Sequence, residues 1–231
     1  MKYILLLFPI FLFSNSYIGK IEPKEEFSIF ANTSGEITYL DKNKEMSIIN
    51  DVIVKIDSEL EKENLKLYES QLKLLNEKLV ILQNYYSKFK NITGKSDYEK
   101  DEKYMEIIDL KNSIKNLELS IVQTKNILSK KEISLNNLYL KEFVVNKYDY
   151  VNVGTKIATA YDITKAKLVI YINSEDFKEI KNKEIFINGE KSNIKIKKLD
   201  IIPDKTFISA YKLELEIDSK EFGKSLEVEF K

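Results

Sequence analysis

No Cys, His or Arg occurs anywhere in this chain of 231 residues, and each absence closes off a class of chemistry. Without His and Cys the commonest general base and the thiol nucleophile are missing. So are the usual ligands for zinc, copper and iron–sulfur clusters. No disulfide framework can form, and no N-terminal cysteine can carry a lipid. Every basic residue is Lys, so bidentate guanidinium clamps on phosphate, carboxylate or guanine are excluded. Charge of either sign is not in excess: 37 basic residues face 37 acidic ones. No global field therefore draws the chain to nucleic acid or anionic lipid. Any catalysis would rest on carboxylates, Lys, Tyr or Ser. Pairs such as Glu25-Glu26 and Asp101-Glu102 lie in charge-mixed stretches and read as solvated surface. No cofactor and no metal are expected, and the chain reads as a non-enzyme.

Long apolar runs are also scarce. The one present, Tyr3 to Phe13, follows Lys2 and precedes Ser14-Asn15-Ser16. A positive residue, a short apolar stretch and a small-x-small site make an export signal over 1–16. The run is shorter than the roughly 20 residues that span a bilayer. An uncleaved anchor or a buried strand is the alternative reading. The mature chain is expected in, or peripheral to, an extracytoplasmic space.

What is abundant is periodicity. Phe27 to Ala31 and Glu36 to Leu40 read as strands broken at Ser34-Gly35, and Ile48 to Ile56 as a strand pair or one long strand. From Asp57 the period changes. Leu65, Tyr68, Leu72, Leu75, Leu79, Leu82, Tyr86 and Phe89 recur at alternating steps of three and four, a heptad seam. Ser58, followed by Glu59 and Glu61, is placed to cap it. A polar stretch, 90–106, then interrupts; Asn91 to Asp97 is expected to turn, with Asp97 capping the second arm. The seam resumes at Ile107, Leu110, Ile114, Leu117, Ile121, Thr124, Leu128, Lys131, Leu135 and Leu138, with Thr124 and Lys131 as imperfect positions. Two heptad arms around one break predict an antiparallel coiled-coil hairpin; an intermolecular coiled coil is the alternative. After Leu140 short strands return at Phe143 to Val145, Tyr150 to Val153, Ile157 to Tyr161, Lys167 to Ile172, Ile185 to Ile187, Ile194 to Ile196, Tyr211 to Ile217 and Leu226 to Phe230. Asp176 to Lys181 reads as a short helix. Turns fall at Asn188-Gly189, Pro203-Asp204 and Gly223, and the spacing suggests a small barrel.

A helical hairpin between two β-halves invites comparison of the halves. "KEMSIINDVIVKIDS" from Lys44 and "YDYVNVGTKIATAYD" from Tyr148 both lead into an apolar strand ending in Asp, at Asp57 and Asp162. This resembles the split lipoyl-like domain of the periplasmic adaptor, or membrane fusion (HlyD-like), family. Gly154 matches its second glycine, and Ser34-Gly35-Glu36-Ile37 looks like its opening Ser-Gly-x-Val. Residues 166–180 are similar to the start of its barrel. Lys44, Asn50 and Tyr148 stand where the family usually has glycine, and the Arg of its tip motif has no counterpart. The membrane-proximal domain of larger members looks absent.

The resemblance implies an α+β multi-module fold. Its expected parts are the signal (1–16), the first half of the lipoyl-like β-domain (17–57), the hairpin (58–140, tip 90–106), the second half (141–163) and a small β-barrel (164–231). It implies a periplasmic adaptor of a tripartite export pump. The expected partners are an inner-membrane ABC or proton-driven transporter, an outer-membrane tunnel protein and further copies of itself in a ring, with no nucleic acid. Phe89, Asn91, Ile92, Thr93, Gly94, Ser96 and Tyr98 are the candidate docking residues of the tip; Gly35, Asp57, Gly154 and Asp162 carry the lipoyl-like motif. The competing class is an exported structural coiled-coil protein without a pump partner. A lipoyl or biotinyl carrier is disfavoured, because the hairpin occupies the place of the modified Lys. A carboxylate-dependent hydrolase has no supporting motif. Asn91-Ile92-Thr93 matches a glycosylation sequon, a tripeptide common by chance.

Overall fold

A computed structural model describes residues 15–207 and 209–231. The expected signal lies outside the described residues, except for Asn15 and Ser16. The chain divides into two compact units, 28–159, and 1–27 together with 160–231. Strands β1 (Ser16–Phe30) and β8 (Lys156–Asn173) carry the chain from one to the other.

In the unit 28–159, two sets of short strands flank two helices. Before the helices come β2 (Gly35–Leu40), β3 (Ser47–Ile49) and β4 (Val52–Ile56); after them come β5 (Glu132–Ser134), β6 (Leu138–Phe143) and β7 (Tyr150–Val151). The sets pair across the insertion, all antiparallel. β2 pairs β7 (Gly35 with Val151), β3 pairs β6 (Ile48 with Tyr139), and β4 pairs β5 (Val54 with Ile133). Ile37, Val54, Ile56, Leu140 and Val151 turn inward and are buried, and the register shift between Val52 and Val54 in β4 buries Ile53 as well. At about 25 cal/mol per Å2 of apolar surface, each such side chain contributes about 1.5–3 kcal/mol.

Helices α1 (Glu59–Phe89) and α2 (Asp97–Lys130) run for 31 and 34 residues, about 46 and 51 Å at 1.5 Å per residue. They pack antiparallel: Glu69 pairs with Lys125 at 2.9 Å, and the Tyr86 and Tyr104 rings meet at 5.4 Å. The buried residues of α2 are Ile107, Leu110, Ile114, Leu117, Ile121 and Thr124, an unbroken run of the expected seam. The eight seam residues of α1, from Leu65 to Phe89, are half-buried while most of their neighbours are exposed.

Three details differ from expectation. Ser58 stands at the N-cap of α1 but its side chain makes no capping bond; the Asp57 carboxylate accepts from the Glu59 N–H instead, at 3.1 Å. Asp97 is the first residue of α2 rather than its cap. Ser96 caps it in a reciprocal box with Glu99. The second seam also leaves the helix early. At Lys131 the backbone carbonyl accepts from Ile56 N–H (2.8 Å), so the chain exchanges helical for ladder bonds. Leu135 and Leu138 accordingly follow β5 and begin β6, and Phe143 ends β6 instead of starting a strand.

The other unit is a curled sheet built from the first half of β1, the second half of β8 and five more strands: β9 (Ile185–Ile187), β10 (Glu190–Ser192), β11 (Ile196–Leu199), β12 (Ala210–Ile217) and β13 (Ser225–Phe230). Their order is β10-β9-β13-β1-β8-β12-β11. Leu168, Ile170 and Ile172 alternate inward from β8 onto Leu213, Leu215, Val228 and Phe230. β1 crosses β8 closely at Gly19, where a Cβ would lie 2.8 Å from Leu168 Cδ1. Asn188 and Gly189 turn β9 into β10 with φ of 51° and 84°, the left-handed pair that an Asn-Gly hairpin requires. The expected helix at Asp176 to Lys181 is two single 3-10 turns, Asp176–Lys178 and Ile180–Asn182. The buried Asp176 carboxylate accepts from Asn15 Nδ2 (2.7 Å), from the Tyr17 hydroxyl and from Lys183 Nζ (3.4 Å). Burial pushes Asp176 up, but these donors hold it below the usual carboxylate range. Desolvation and the Asp176 carboxylate push Tyr17 up to about 12.

Candidate functional site

The break between the helices is short. α1 ends at Phe89 and Ser96 already caps α2, so the irregular segment is Lys90 to Ser96, and the polar residues 97–106 form the first turns of α2. Gly94 takes φ of 93°, a left-handed conformation, with open space where a Cβ would stand. Backbone bonds from Asn91 N–H to Lys88 O (3.2 Å) and Ile92 N–H to Phe89 O (3.1 Å) wind the last turn of α1. The Asn91 side chain donates to Ser87 O at 3.0 Å.

Aromatic rings and one ion pair hold this end together. Tyr85 stacks on Phe89 with centroids 5.8 Å apart, and Lys95 Nζ lies 5.6 Å from the Phe89 ring centroid. The same Lys95 reaches Glu99 at 2.7 Å, and Glu99 Oε2 accepts from the Ser96 N–H at 2.9 Å. Lys95, then the Ser96 backbone and hydroxyl, draw the Glu99 carboxyl down to about 2. The structure therefore gathers Phe89, Asn91, Ser96 and the flanks of Gly94 into one bonded turn. Ile92 and Tyr98 project from it, 49% and 78% exposed. Thr93 is exposed beside them. Sequence reasoning placed Tyr86 on the seam but missed Tyr85 and Tyr104, which join the rings backing the turn, and the Lys95–Glu99 pair, whose i,i+4 spacing was readable.

At the other end of the helices, Gly35 and Asp57 come together. Gly35 takes φ of 151°, and a Cβ there would lie 2.6 Å from Ile56 Cγ2. The Asp57 N–H donates to Glu36 O at 2.8 Å, and Asp57 O accepts from Lys131 Nζ at 2.5 Å. Lys131, buried at 6% exposure, also pairs with Glu61 at 2.7 Å. One ammonium thus ties the strand before α1, the first turn of α1 and the end of α2. Gly154 sits apart from this knot. Its φ is 85°, and its N–H donates to Ala31 O at 2.9 Å, answered by Ala31 N–H to Thr155 O. Asp162 belongs to the other unit; its carboxylate accepts from Thr164 (N–H 2.9 Å, hydroxyl 2.5 Å) and Lys24 (3.1 Å), and stays below the usual range. Tyr148, standing where glycine is usual, has φ of 74°, so the backbone keeps the glycine-like turn without the glycine.

Taken together, the arrangement displays a bonded polar turn at the far end of two long helices and a buried cation at their base. Both ends are built for holding and presenting. Among the described residues, no helix is long and apolar enough to cross a membrane. Nor does any described group of three or more His, Cys, Asp or Glu residues have the arrangement to hold a metal ion.

No protein-family model matches the chain, and no curated protein does. Solved structures do. MacA from Actinobacillus actinomycetemcomitans superposes with a TM-score of 0.72 at 17% identity, over 94% of this chain and 78% of that one. The membrane fusion protein Spr0693 from Streptococcus pneumoniae R6 gives 0.67 at 12% identity, over 94% and 99%. ZneB from Cupriavidus metallidurans gives 0.55 at 11% identity, over 94% and 97%. The chain therefore has the fold of the membrane fusion, or periplasmic adaptor, proteins, two helices together with curled β-sheets.

Proposed function

We propose that the chain is the periplasmic adaptor subunit of an export pump, joining an inner-membrane transporter to an outer-membrane tunnel and sealing the path between them. One observation supports this above the rest: nearly the whole described chain follows the adaptor fold, with strands from both sides of the helical insertion pairing into one β-module. In this reading the helix pair is a coiled-coil hairpin, the strands at its base form a split lipoyl-like domain, and the curled sheet is the small barrel. An ABC or proton-driven pump supplies the work. The adaptor supplies geometry and coupling, through several copies in a ring and without chemistry of its own. The protein acts in the periplasm, peripheral to the inner membrane, after cleavage of its signal.

The turn between the helices selects the tunnel. Ile92 and Tyr98 offer apolar contact, and Asn91, Thr93 and Ser96 hydrogen bonds. In place of the family's Arg, Lys95 is the cation nearest the apex. Lacking a bidentate donor, each tip binds weakly, and several copies act together. The test replaces Lys90 to Ser96 with a Gly-Ser loop in the native host. Export falls while folding and co-purification with the pump persist. Unchanged export and no pump component retained on the tagged wild-type chain after cross-linking would overturn the reading.

A further inference from the structure

The segment between β11 and β12, Asp200 to Phe207, exposes apolar side chains while its backbone donors are met from within. Ile201 and Ile202 are 77% and 68% exposed, and Phe207 52%. The Ile202 N–H donates to the Asp200 carboxylate at 3.1 Å. The Thr206 and Phe207 N–H groups donate to the Asp204 carboxylate at 2.8 and 3.0 Å. The Asp204 N–H donates to Ala210 O at 2.8 Å, and Pro203 has no N–H. Lipid offers no partner to a backbone donor, so a loop that enters it must satisfy its own; a solvated loop need not.

Topology places this segment at one end of the curled sheet. β8 ends there, since its Asn173 pairs with Ala210 at the start of β12. β1 begins there, since Asn15 and Tyr17 both donate to Asp176, just beyond β8. The apolar run Tyr3 to Phe13 therefore joins the fold at the end that carries Ile201 and Ile202. Rings collect at the same end. Phe207 meets Tyr171 with centroids 4.5 Å apart, and Phe177 stacks on Tyr211 at 4.2 Å. Tyrosines, apolar in body and polar at the tip, suit the boundary between water and lipid. In and beside the segment, Lys198 and Lys205 offset Asp200 and Asp204, so its apolar side chains set its preference.

We propose that Ile201 and Ile202 dip into the acyl boundary of a lipid bilayer and hold this end of the sheet against it. A bilayer fits a side-chain pair that stands out from an internally bonded loop, at the end where an apolar segment is delivered during export. The chain has no Cys to take a lipid, and cleavage of the signal removes the run 3–13. Two inserted isoleucines then supply a weak, reversible hold of the chain's own, in addition to the pump. This rests on the reading of a chain peripheral to the inner membrane.

The test uses the exported, processed chain and vesicles of phosphatidylethanolamine with phosphatidylglycerol. The wild type floats with them, floats as well with phosphatidylcholine vesicles, and is little affected by salt, because apolar insertion is not screened. Ile201→Ser with Ile202→Ser lowers vesicle affinity about tenfold or more. Its unfolding midpoint is unchanged, because both side chains are exposed. With no native Cys, a polarity-sensitive dye on Ile201→Cys shifts to the blue on vesicles. The same dye on Lys220→Cys does not: that loop follows Ile217, which pairs with Ala166 at the opposite end of the sheet. Vesicle binding that the double variant retains or that salt abolishes, or a dye at 201 that does not shift, overturns the proposal. So does a wild type that ignores vesicles while the double variant loses a cross-linked pump component; the loop then docks on protein. None of these outcomes touches the adaptor reading, which falls if the wild-type chain retains no pump component.

Discussion

Lys131 interrupts an otherwise apolar seam, and its replacement gives a sharp test of the base of the helix pair. Its ammonium is held by Glu61 at 2.7 Å and by Asp57 O at 2.5 Å, with side-chain exposures of 8% for Lys131 and 23% for Glu61. Lys131→Met keeps the methylene stem and removes only the charge and donors. Removing one partner of a fully buried pair costs about 3–5 kcal/mol. Glu61 is not fully buried and can turn toward water, which lowers its share; the Asp57 carbonyl loses a donor, worth about 1 kcal/mol. The expected cost is therefore about 2–3 kcal/mol, or a fall in Tm of about 5–10 °C for a chain of this size. Circular dichroism at 222 nm during urea and thermal unfolding follows the unit 28–159, which contains both helices. Adding Glu61→Gln to Lys131→Met should recover about 1–2 kcal/mol, because the stranded carboxylate is then neutral. A single variant as stable as the wild type, or more so, would show that desolvating the pair outweighs its attraction, and would refute the reasoning.

Gly35→Ala meets Ile56 Cγ2 at 2.6 Å and places a side chain at φ of 151°; since Ile56 is buried and cannot yield, a loss of about 2 kcal/mol or more is expected in denaturant titration. Leu117→Ala, on the buried seam, should cost about 2–4 kcal/mol, whereas Leu119→Ser, two residues on and exposed, should leave the unfolding midpoint of the dilute monomer unchanged. Glu99 lies at about 2 in the folded chain against 4.5 ordinarily. A depressed carboxyl stabilises above its unfolded value, so the α2 cap holds above pH 4.5 and is lost as pH falls toward 2; carbon-detected NMR should place the Glu99 midpoint near 2, and Lys95→Ala should raise it. Tyr17 titrates at about 12 rather than 10. Its phenol stabilises below pH 10 and that contribution is lost between pH 10 and 12, so Asp176→Asn should bring its NMR midpoint back toward 10.

The helices were legible because their period is long and uninterrupted: one heptad register named the six residues that α2 buries. What the period could not show was where it stops mattering. Leu135 and Leu138 continue the three-four spacing, yet Lys131 already hands its carbonyl to Ile56, a partner 75 positions earlier that no local pattern reveals. Capping was misread for a similar reason: Ser58 holds the N-cap position of α1 as expected but Asp57 makes the bond, and Ser96 rather than Asp97 caps α2. Asp57, Ser58, Ser96 and Asp97 are all capable side chains, and only backbone geometry selects between neighbours. The tip was visible as a polar interruption, and its expected turn, Asn91 to Asp97, lies one residue from the observed Lys90 to Ser96; residues 97–106 are polar and helical. Glycine-based matching faltered where Tyr148 adopts a left-handed φ of 74°, a conformation that residue identity does not advertise.

The tie between Lys131 and Asp57 spans 74 positions of chain. Closing a loop that long in an unstructured chain costs about 4 kcal/mol in entropy, on top of a fixed term. The helix pair removes that search. Its apex is a seven-residue turn with its own cap, and each successive seam contact lies only a few residues farther out on either arm. Helix pairing can thus begin locally and zip toward the base, delivering residues 57 and 131 to each other as its last step. The sheet at the base, which by sequence separation is a slow, non-local structure, then forms its β4–β5 ladder across two strand ends already side by side. Folding order is written into the insertion: lengthening the helices by whole heptads should leave the folding rate of the sheet nearly unchanged, while loosening the turn should slow it.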